Sequence, residues 1–122
     1  MMKNLDISVL LEYYGSVLTE KQREMVSYYY DNDLSLAEIA QNEGITRQGV
    51  RDTIKRAETQ LFEMESQLGL VKKTRDSQKL LDEINGFCAK IREYNLRYNG
   101  SREIDGFAIE IEGLSGQLSE IC

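Results

Sequence analysis

The sequence predicts an all-α fold, and three observations support that prediction. The 122 residues include no proline, the residue that most often interrupts a helix. Apolar residues recur at intervals of three and four along most of the chain, which is the period of one helix face. Serine or threonine is twice followed, three residues later, by glutamate or glutamine, a pair that forms a capping box at the start of a helix.

Length and composition fit a small domain with a helical arm. Apolar residues make up 41% of the 122 residues, an ordinary globular value. We divide the chain into a domain at residues 1–70 and a helical hairpin at residues 71–122. No apolar run approaches the length of a membrane span and no signal peptide is recognisable, so we expect a cytoplasmic protein without membrane contact.

The first predicted helix follows Asp6, a residue suited to capping, and runs to about Tyr14. Gly15 then ends it, as glycine commonly does at a helix C-terminus. Its apolar residues fall at i, i+3, i+4 and i+7, and they are Ile7, Leu10, Leu11 and Tyr14. We therefore expect an amphipathic helix with one buried face.

A second helix is predicted from the capping box of Thr19 and Gln22 to about Tyr30. Its expected inward face is Gln22, Met25, Val26 and Tyr29. The tyrosines at 28–30 cannot all point inward, since successive residues lie about 100° apart on a helix. At least one is therefore partly exposed, where it either covers the edge of the core or contacts a base or phosphate.

A third, short helix is predicted at about residues 36–41, after a turn at residues 31–33. Ser35 and Glu38 form its capping box. Ala40 is small enough to let the next helix cross closely. Gly44 follows four residues later, where a sharp turn needs a positive φ that glycine adopts cheaply.

A fourth helix is predicted at about residues 47–66, with Thr46 as its N-cap. Its expected buried residues are Val50, Ile54, Ala57 and Leu61. Together with the preceding helix and glycine, this spacing favours a helix-turn-helix over an ordinary helical hairpin with a polar outer face. Two residues argue the other way: Glu43 stands where an apolar residue is usual, and Gly49 weakens the fourth helix.

The outer face of the fourth helix is the candidate binding surface. Its residues are Arg47, Gln48, Arg51, Lys55 and Arg56. Arginine and glutamine near the N-terminus of the second helix of such a motif suit contacts with base edges in the major groove. Lysine and arginine further along the helix suit contacts with phosphates.

Charge limits the kinds of partner. The net charge is −6 and the pI is about 4.7, whereas nucleic-acid binding depends mostly on attraction to phosphates. Between Arg47 and Arg56, however, four basic residues accompany one acid, Asp52. A second basic cluster consists of Lys72, Lys73 and Arg75. We therefore expect a basic stripe on an acidic body, and weak nucleic-acid binding by a monomer.

The C-terminal part is predicted as a loop or hinge at residues 71–76 and then two helices joined by a turn at residues 99–100. The apolar stripe of the first is Leu80, Ile84, Phe87, Ile91, Tyr94 and Tyr98. The stripe of the second is Ile104, Phe107, Ile111, Leu114, Leu118 and Ile121. The short turn implies an antiparallel hairpin. Two helices alone bury little, so either a second copy or the chain's own N-terminal helices should cover the stripes.

A homodimer is the sharper of these two expectations, because a helix-turn-helix usually binds as two copies.

Cysteine and histidine usage argues against a metal site, a cofactor and an enzyme. Cys88 falls in an apolar stripe as a small buried residue would, and Cys122 is the last residue. The chain has no histidine, the usual zinc ligand and partner of a nucleophile, and no glycine-rich phosphate loop.

Two resemblances to known families agree with this interpretation. Leu18–Arg23, Ser35–Ala40 and Gly44–Val50 resemble region 4 of sigma-70-type factors. The stretch from Tyr28–Asp33 through Lys55–Glu58 more closely resembles the YlxM family of small bacterial proteins. The resemblance implies a helix-turn-helix fold whose recognition surface is the set of five residues named above. Gly49 departs from the alanine expected there, and the chain lacks the other sigma regions needed to direct a polymerase.

In the YlxM family the genes sit beside those for components of the signal recognition particle, so the resemblance implies a role in that pathway. Three functions stay open at this point. The first is a nucleic-acid-binding regulatory protein, acting on DNA or on signal recognition particle RNA. The second is an accessory protein that contacts the particle's RNA or its GTPase. The third is a protein-interaction module that does not bind nucleic acid, which the net acidity favours.

Overall fold

The structure is a computed structural model that describes residues 5–121, with side chains from residue 7 onward. The described residues form six α-helices and no strand. The helices are α1 (Leu5–Tyr14), α2 (Glu20–Tyr30), α3 (Leu36–Glu43), α4 (Arg47–Leu68), α5 (Leu70–Tyr94) and α6 (Arg102–Ile121). They belong to two compact units, Met1–Val71 and Lys72–Cys122. The all-α prediction is therefore confirmed.

The predicted capping boxes are present and explain where α2 and α3 begin. At α2, the Thr19 hydroxyl accepts from the Gln22 N–H at 3.2 Å, and the Gln22 side chain accepts from the Thr19 N–H at 3.0 Å. Ser35 and Glu38 form the same reciprocal pair at α3. Each box satisfies amides that the helix itself leaves without partners. At α1 the prediction is wrong, because the helix begins at Leu5 and Asp6 lies within it and not at its N-cap.

Helix α4 is the centre of the first unit and packs against α1, α2 and α3. Its predicted inward residues, Val50, Ile54, Ala57 and Leu61, are all fully buried. The stripe of α1 is confirmed as well, with Ile7, Leu10 and Tyr14 in the same core. Because one helix contacts all three others, its apolar face organises the whole unit.

The link between α2 and α4 includes a polar pair at the edge of the core. The hydroxyl of Tyr30 donates a hydrogen bond to a carboxylate oxygen of Glu58. Partial burial, together with this hydrogen bond, raises the pKa of Tyr30 above its ordinary value. Tyr28 and Tyr30 are both half-buried while Tyr29 is buried, as the prediction for the three tyrosines requires.

The predicted loop at residues 71–76 is wrong, since α5 begins at Leu70 and continues without a break. The interruption is the single residue Gly69, which has a φ of 63°. The hydroxyl of Tyr14 accepts from the Leu70 N–H at 3.0 Å and donates to Glu65 at 2.5 Å. Glu65 in turn accepts from the Val71 N–H at 3.1 Å. These side chains cap α5, so the basic run can remain helical.

The second unit is an antiparallel hairpin, as predicted. Gln78 donates to the Ser119 hydroxyl at 2.6 Å, and Arg92 donates to Asp105 at 3.2 Å. At the closed end, a π-helical turn over Asn95–Asn99 leads to α6. The buried side chain of Asn95 donates to the Ser101 carbonyl at 2.6 Å and accepts from the Ser101 N–H at 3.0 Å.

The large apolar stripes do not form the contact between α5 and α6. The buried residues of this unit are instead mostly small or polar: Leu81, Cys88, Asn95, Ala108 and Ser115. All twelve stripe residues are exposed, between 37% and 81%. The expectation that Cys88 is a buried small residue is confirmed, and Cys122 lies outside the described residues.

No helix formed by the described residues combines the length and the apolar character that crossing a lipid bilayer demands.

The Tyr30–Glu58 pair gives a testable prediction for Tyr30→Phe. At neutral pH the variant should lose about 1–2 kcal/mol of unfolding free energy, since Glu58 loses a donor at a half-buried site. Above about pH 10 the difference from wild type should shrink, because the unfolded tyrosine ionises there while the folded one stays protonated. Urea unfolding at pH 7 and at alkaline pH measures both effects. Tyr28→Phe is the matched control, and an equal loss in both variants would contradict the assignment.

Candidate nucleic-acid interface

The outer face of α4 presents its polar residues in two rows. Residues four apart lie almost above one another on a helix, so Arg47, Arg51 and Lys55 form one row. Gln48, Asp52 and Arg56 form the adjacent row. All six are exposed. The structure therefore brings together every residue that the sequence predicted for this surface.

None of the carboxylates whose positions are described neutralises the four cations of this face. Within residues 7–121, whose side chains are described, no carboxylate lies within ion-pairing distance of Arg47, Arg51, Lys55 or Arg56. Lys21 behaves differently, because it contacts Glu43 at 3.0 Å and Glu24 at 3.6 Å. The charges of the α4 face are therefore directed to solvent and remain available to an anionic partner.

Gln48 has a partner that sequence analysis did not identify. Its amide nitrogen donates to Asp52 Oδ1 at 2.9 Å, one helical turn further along α4. A two-bond contact with adenine uses the amide oxygen and one N–H. The amide nitrogen carries two N–H donors, so Gln48 keeps one for such a contact while the other is bonded to Asp52. Asp52 is also the one acid in this part of the face, and it belongs to the site through both its charge and its contact.

The N-terminus of α4 depends on a close fit between Thr46 and Gly49. The Thr46 hydroxyl accepts from the Gly49 N–H at 3.0 Å. A Cβ atom on Gly49 would lie only 3.2 Å from that hydroxyl oxygen. The hydroxyl of Thr53 donates to the Gly49 carbonyl at 2.9 Å. The glycine that weakened the sequence prediction therefore leaves space for the cap that starts the helix.

The turn before α4 is fixed from two sides. Gly44 has a φ of 69° and directs the chain from α3 towards α4. Just before it, Glu43 pairs with Lys21 of α2, and this hydrogen bond raises the pKa of Lys21. The charged residue that looked out of place at position 43 thus ties the end of α3 to α2.

A shallow groove of about 410 Å³ adjoins the cationic rows. It is lined by Gln22, Lys55, Arg56, Thr59 and Gln60. Sequence analysis missed Thr59 and Gln60, although they continue the two rows at intervals of four. The lining contains amides, a hydroxyl and cations but no carboxylate, which suits an anion such as phosphate. Among the described side chains, no three potential metal ligands converge.

Two helices joined by a glycine turn, with the second helix presenting exposed cations, define a helix-turn-helix protein. Comparison with known families agrees: residues 1–97 match the model described as "Putative helix-turn-helix protein, YlxM / p13 like", the UPF0122 family. The chain belongs to this family, as its resemblance to YlxM proteins predicted.

Individual relatives share most of the chain. A UPF0122 protein of Thermoanaerobacter sp. (strain X514) is 43% identical over 111 residues, covering 91% of this chain and 95% of the relative. One from Clostridium botulinum (strain Alaska E43 / Type E3) is 46% identical over 93 residues, covering 76% and 83%. One from Desulforamulus reducens is 50% identical over 80 residues, covering 65% and 68%.

The contact between Thr46 and Gly49 predicts a coupling that a double-mutant cycle can measure. Gly49→Ala should gain helix propensity, about 1 kcal/mol, but in the wild-type background the new methyl group crowds the Thr46 hydroxyl. With Thr46→Ala in place, the gain should approach its full value, although the lost cap itself costs about 1 kcal/mol. Urea unfolding of the four variants tests this. Strictly additive effects would show that the two residues do not interact.

Proposed function

We propose that this protein is a nucleic-acid-binding regulatory protein of the cytoplasm, with no catalytic activity. One observation carries the proposal: the outer face of α4, the second helix of the helix-turn-helix, holds four exposed cations that no described carboxylate pairs with. Such a helix fits the major groove of duplex DNA. We take the motif to be of the sigma-70 region-4 type that the sequence resembles.

The positions along α4 suggest a division of roles. Arg47 and Arg51 lie one turn apart near the N-terminus of the helix, where they would reach base edges. Lys55 and Arg56 lie further along and border the groove, so they would hold phosphates. Gln48 would contact adenine through its amide oxygen and its second N–H.

Net charge favours binding as two copies. At −6 the chain repels a polyanion overall, and a few local cations give limited affinity in a monomer. A homodimer doubles the number of cations on one duplex and presents two recognition helices to two half-sites.

Two single substitutions should separate base contacts from phosphate contacts. Arg51→Ala should lower affinity for a preferred duplex about 5- to 150-fold and relax its sequence preference, because a base contact is worth roughly 1–3 kcal/mol. Lys55→Ala should weaken all sequences similarly and reduce the slope of log K against log salt by about 1. Fluorescence anisotropy at several salt concentrations measures both, on duplexes selected from a random pool.

The control for charge alone is Arg102→Ala, which removes one exposed cation from the second unit. It should leave affinity and salt slope nearly unchanged. If Arg51→Ala matched wild type at every salt concentration, the α4 face would not be the binding surface.

Asp52 gives a prediction of the opposite sign. Asp52→Asn removes the one acid among the cations and frees the Gln48 amide from a charged acceptor. Duplex binding should become several-fold tighter at low salt, and the gain should fall as salt screens the charge. Unchanged or weaker binding in the anisotropy titration would contradict the placement of Asp52 at the interface.

An accessory role in the signal recognition particle pathway is the second candidate. The overall acidity favours it, since an acidic body suits contact with a protein such as the particle's GTPase as well as with its RNA. The deep, narrow groove of A-form RNA excludes a helix, so RNA binding would follow shape and phosphates and would ignore base sequence. Equal affinity for structured RNA and duplex DNA, or recovery of the GTPase without nucleic-acid binding, would favour this candidate.

A further inference from the structure

The hairpin exposes a continuous apolar face that its own closure does not use. The residues on α5 are Leu80, Ile84, Phe87, Ile91 and Tyr94. Tyr98 follows in the π-helical turn that continues this helix. The residues on α6 are Ile104, Phe107, Ile111, Leu114, Leu118 and Ile121. We call these twelve residues the apolar face.

Both stripes lie on the same side of the hairpin. On α5, the buried residues Leu81 and Cys88 each directly follow a stripe residue. On α6, Ala108 and Ser115 do the same. Two antiparallel helices side by side are related by a two-fold axis perpendicular to the plane that contains them, and rotation about this axis keeps the front of the pair at the front. On each helix the stripe residue is one position before the buried residue, so both stripes lie on the same side of the hairpin. The two stripes therefore form a single surface two helices wide.

The apolar face is larger than a monomer normally exposes. Aromatic side chains offer roughly 150–250 Å² each and large aliphatic ones roughly 60–120 Å², and these twelve are at least one-third exposed. The face thus presents on the order of 1,000 Å² of surface. Exposed apolar patches on monomers reach roughly 300–600 Å², whereas each partner of a standard interface contributes roughly 800 Å².

We propose that the apolar face binds the same face of a second copy, forming a four-helix bundle in which α5 of each copy packs against α6 of the other. The stripe spacing of alternating four and three residues is that of helices packed at a small crossing angle. The inference rests on the proposed function only in its purpose, which is to bring two recognition helices together.

Charge along the edges of the apolar face selects this pairing of helices. The outer edge of α5 carries Lys79 and Lys90 together with Glu83 and Glu93, and Arg97 follows in the π-helical turn. The outer edge of α6 carries Glu103 and Glu110. Arg97 also contacts Glu93 of its own helix. A two-fold axis parallel to the helices brings the α5 edge, with three cations and two acids, against the α6 edge, where both charges named are acidic. A two-fold axis perpendicular to the helices, in the plane of the interface, would instead pack α5 against α5 of the second copy and bring cations together.

The register of α5 against α6 in the hairpin identifies one specific ion pair between the two copies. Gln78 meets Ser119 and Arg92 meets Asp105, which places Lys90 at the level of residue 107. An axis parallel to the helices preserves these levels in the second copy. Lys90 therefore lies within one helical turn of Glu110 of the second copy, a distance that both side chains span.

The oligomeric state in the absence of nucleic acid is the primary test. Sedimentation equilibrium of the full chain should give about twice the monomer mass of 14.0 kDa. Ile91→Glu puts a charge into the centre of the bundle and should raise the dimer dissociation constant at least about 100-fold. The control is Leu96→Glu, at a residue that is 82% exposed and off the stripe, and it should leave the dimer intact. Circular dichroism verifies that both variants stay helical.

A charge exchange tests the arrangement of the helices. Lys90→Glu and Glu110→Lys should each weaken the dimer about three- to fivefold, and the double variant should return to within about twofold of wild type. Equal dimerisation by all four proteins would overturn the pairing of α5 with α6. A monomeric wild type would overturn the inference altogether, whether the chain's own first unit or a different protein covers the face.

These outcomes are independent of nucleic-acid binding. A dimer disrupted by Ile91→Glu but duplex affinity unaffected by Arg51→Ala would retain this inference and reject the proposed function. A monomeric protein whose duplex binding is still sensitive to Arg51→Ala would retain the proposed function and reject this inference.

Discussion

The burial of one face of α4 is the constraint on which the first unit depends. Val50, Ile54, Ala57 and Leu61 have no exposure to solvent, and the three other helices of the unit all contact this face. A helix is rigid, so fixing these four residues inward also fixes the direction of the residues opposite them. The outward cations are therefore held by the core, and they need no ion pairs of their own to be positioned.

Much of the first unit could be predicted because its signals are local. Caps at Thr19 and Ser35 and the glycine at position 44 act within four residues of where they stand, and each does in the structure what its type predicts. The failure at residues 71–76 has the opposite origin. The groups that cap α5 are Tyr14 and Glu65, and Tyr14 lies 56 residues before the amide that it accepts from.

The candidate interface was predictable in its residue types and not in its contacts. Spacing alone places Arg47 and Lys55 on the outer face, but only coordinates show that no described carboxylate reaches them. The bond from Gln48 to Asp52 was likewise unforeseen, although an interval of four makes it geometrically easy. In the hairpin, heptad-like spacing marks the large apolar residues equally well for an inner and an outer face. The pattern predicted that Cys88 is buried, but it could not reveal that Cys88 and Ala108 form the seam.

That narrow seam has an evolutionary consequence. Closure of the hairpin relies on Ala108, Ser115 and their neighbours, while a different set of side chains faces outward. Substitutions among the outward residues can therefore accumulate without opening the hairpin. After a gene duplication, substitutions among the outward residues alone would change which copies associate. Two related proteins in one cell would then each pair only with themselves.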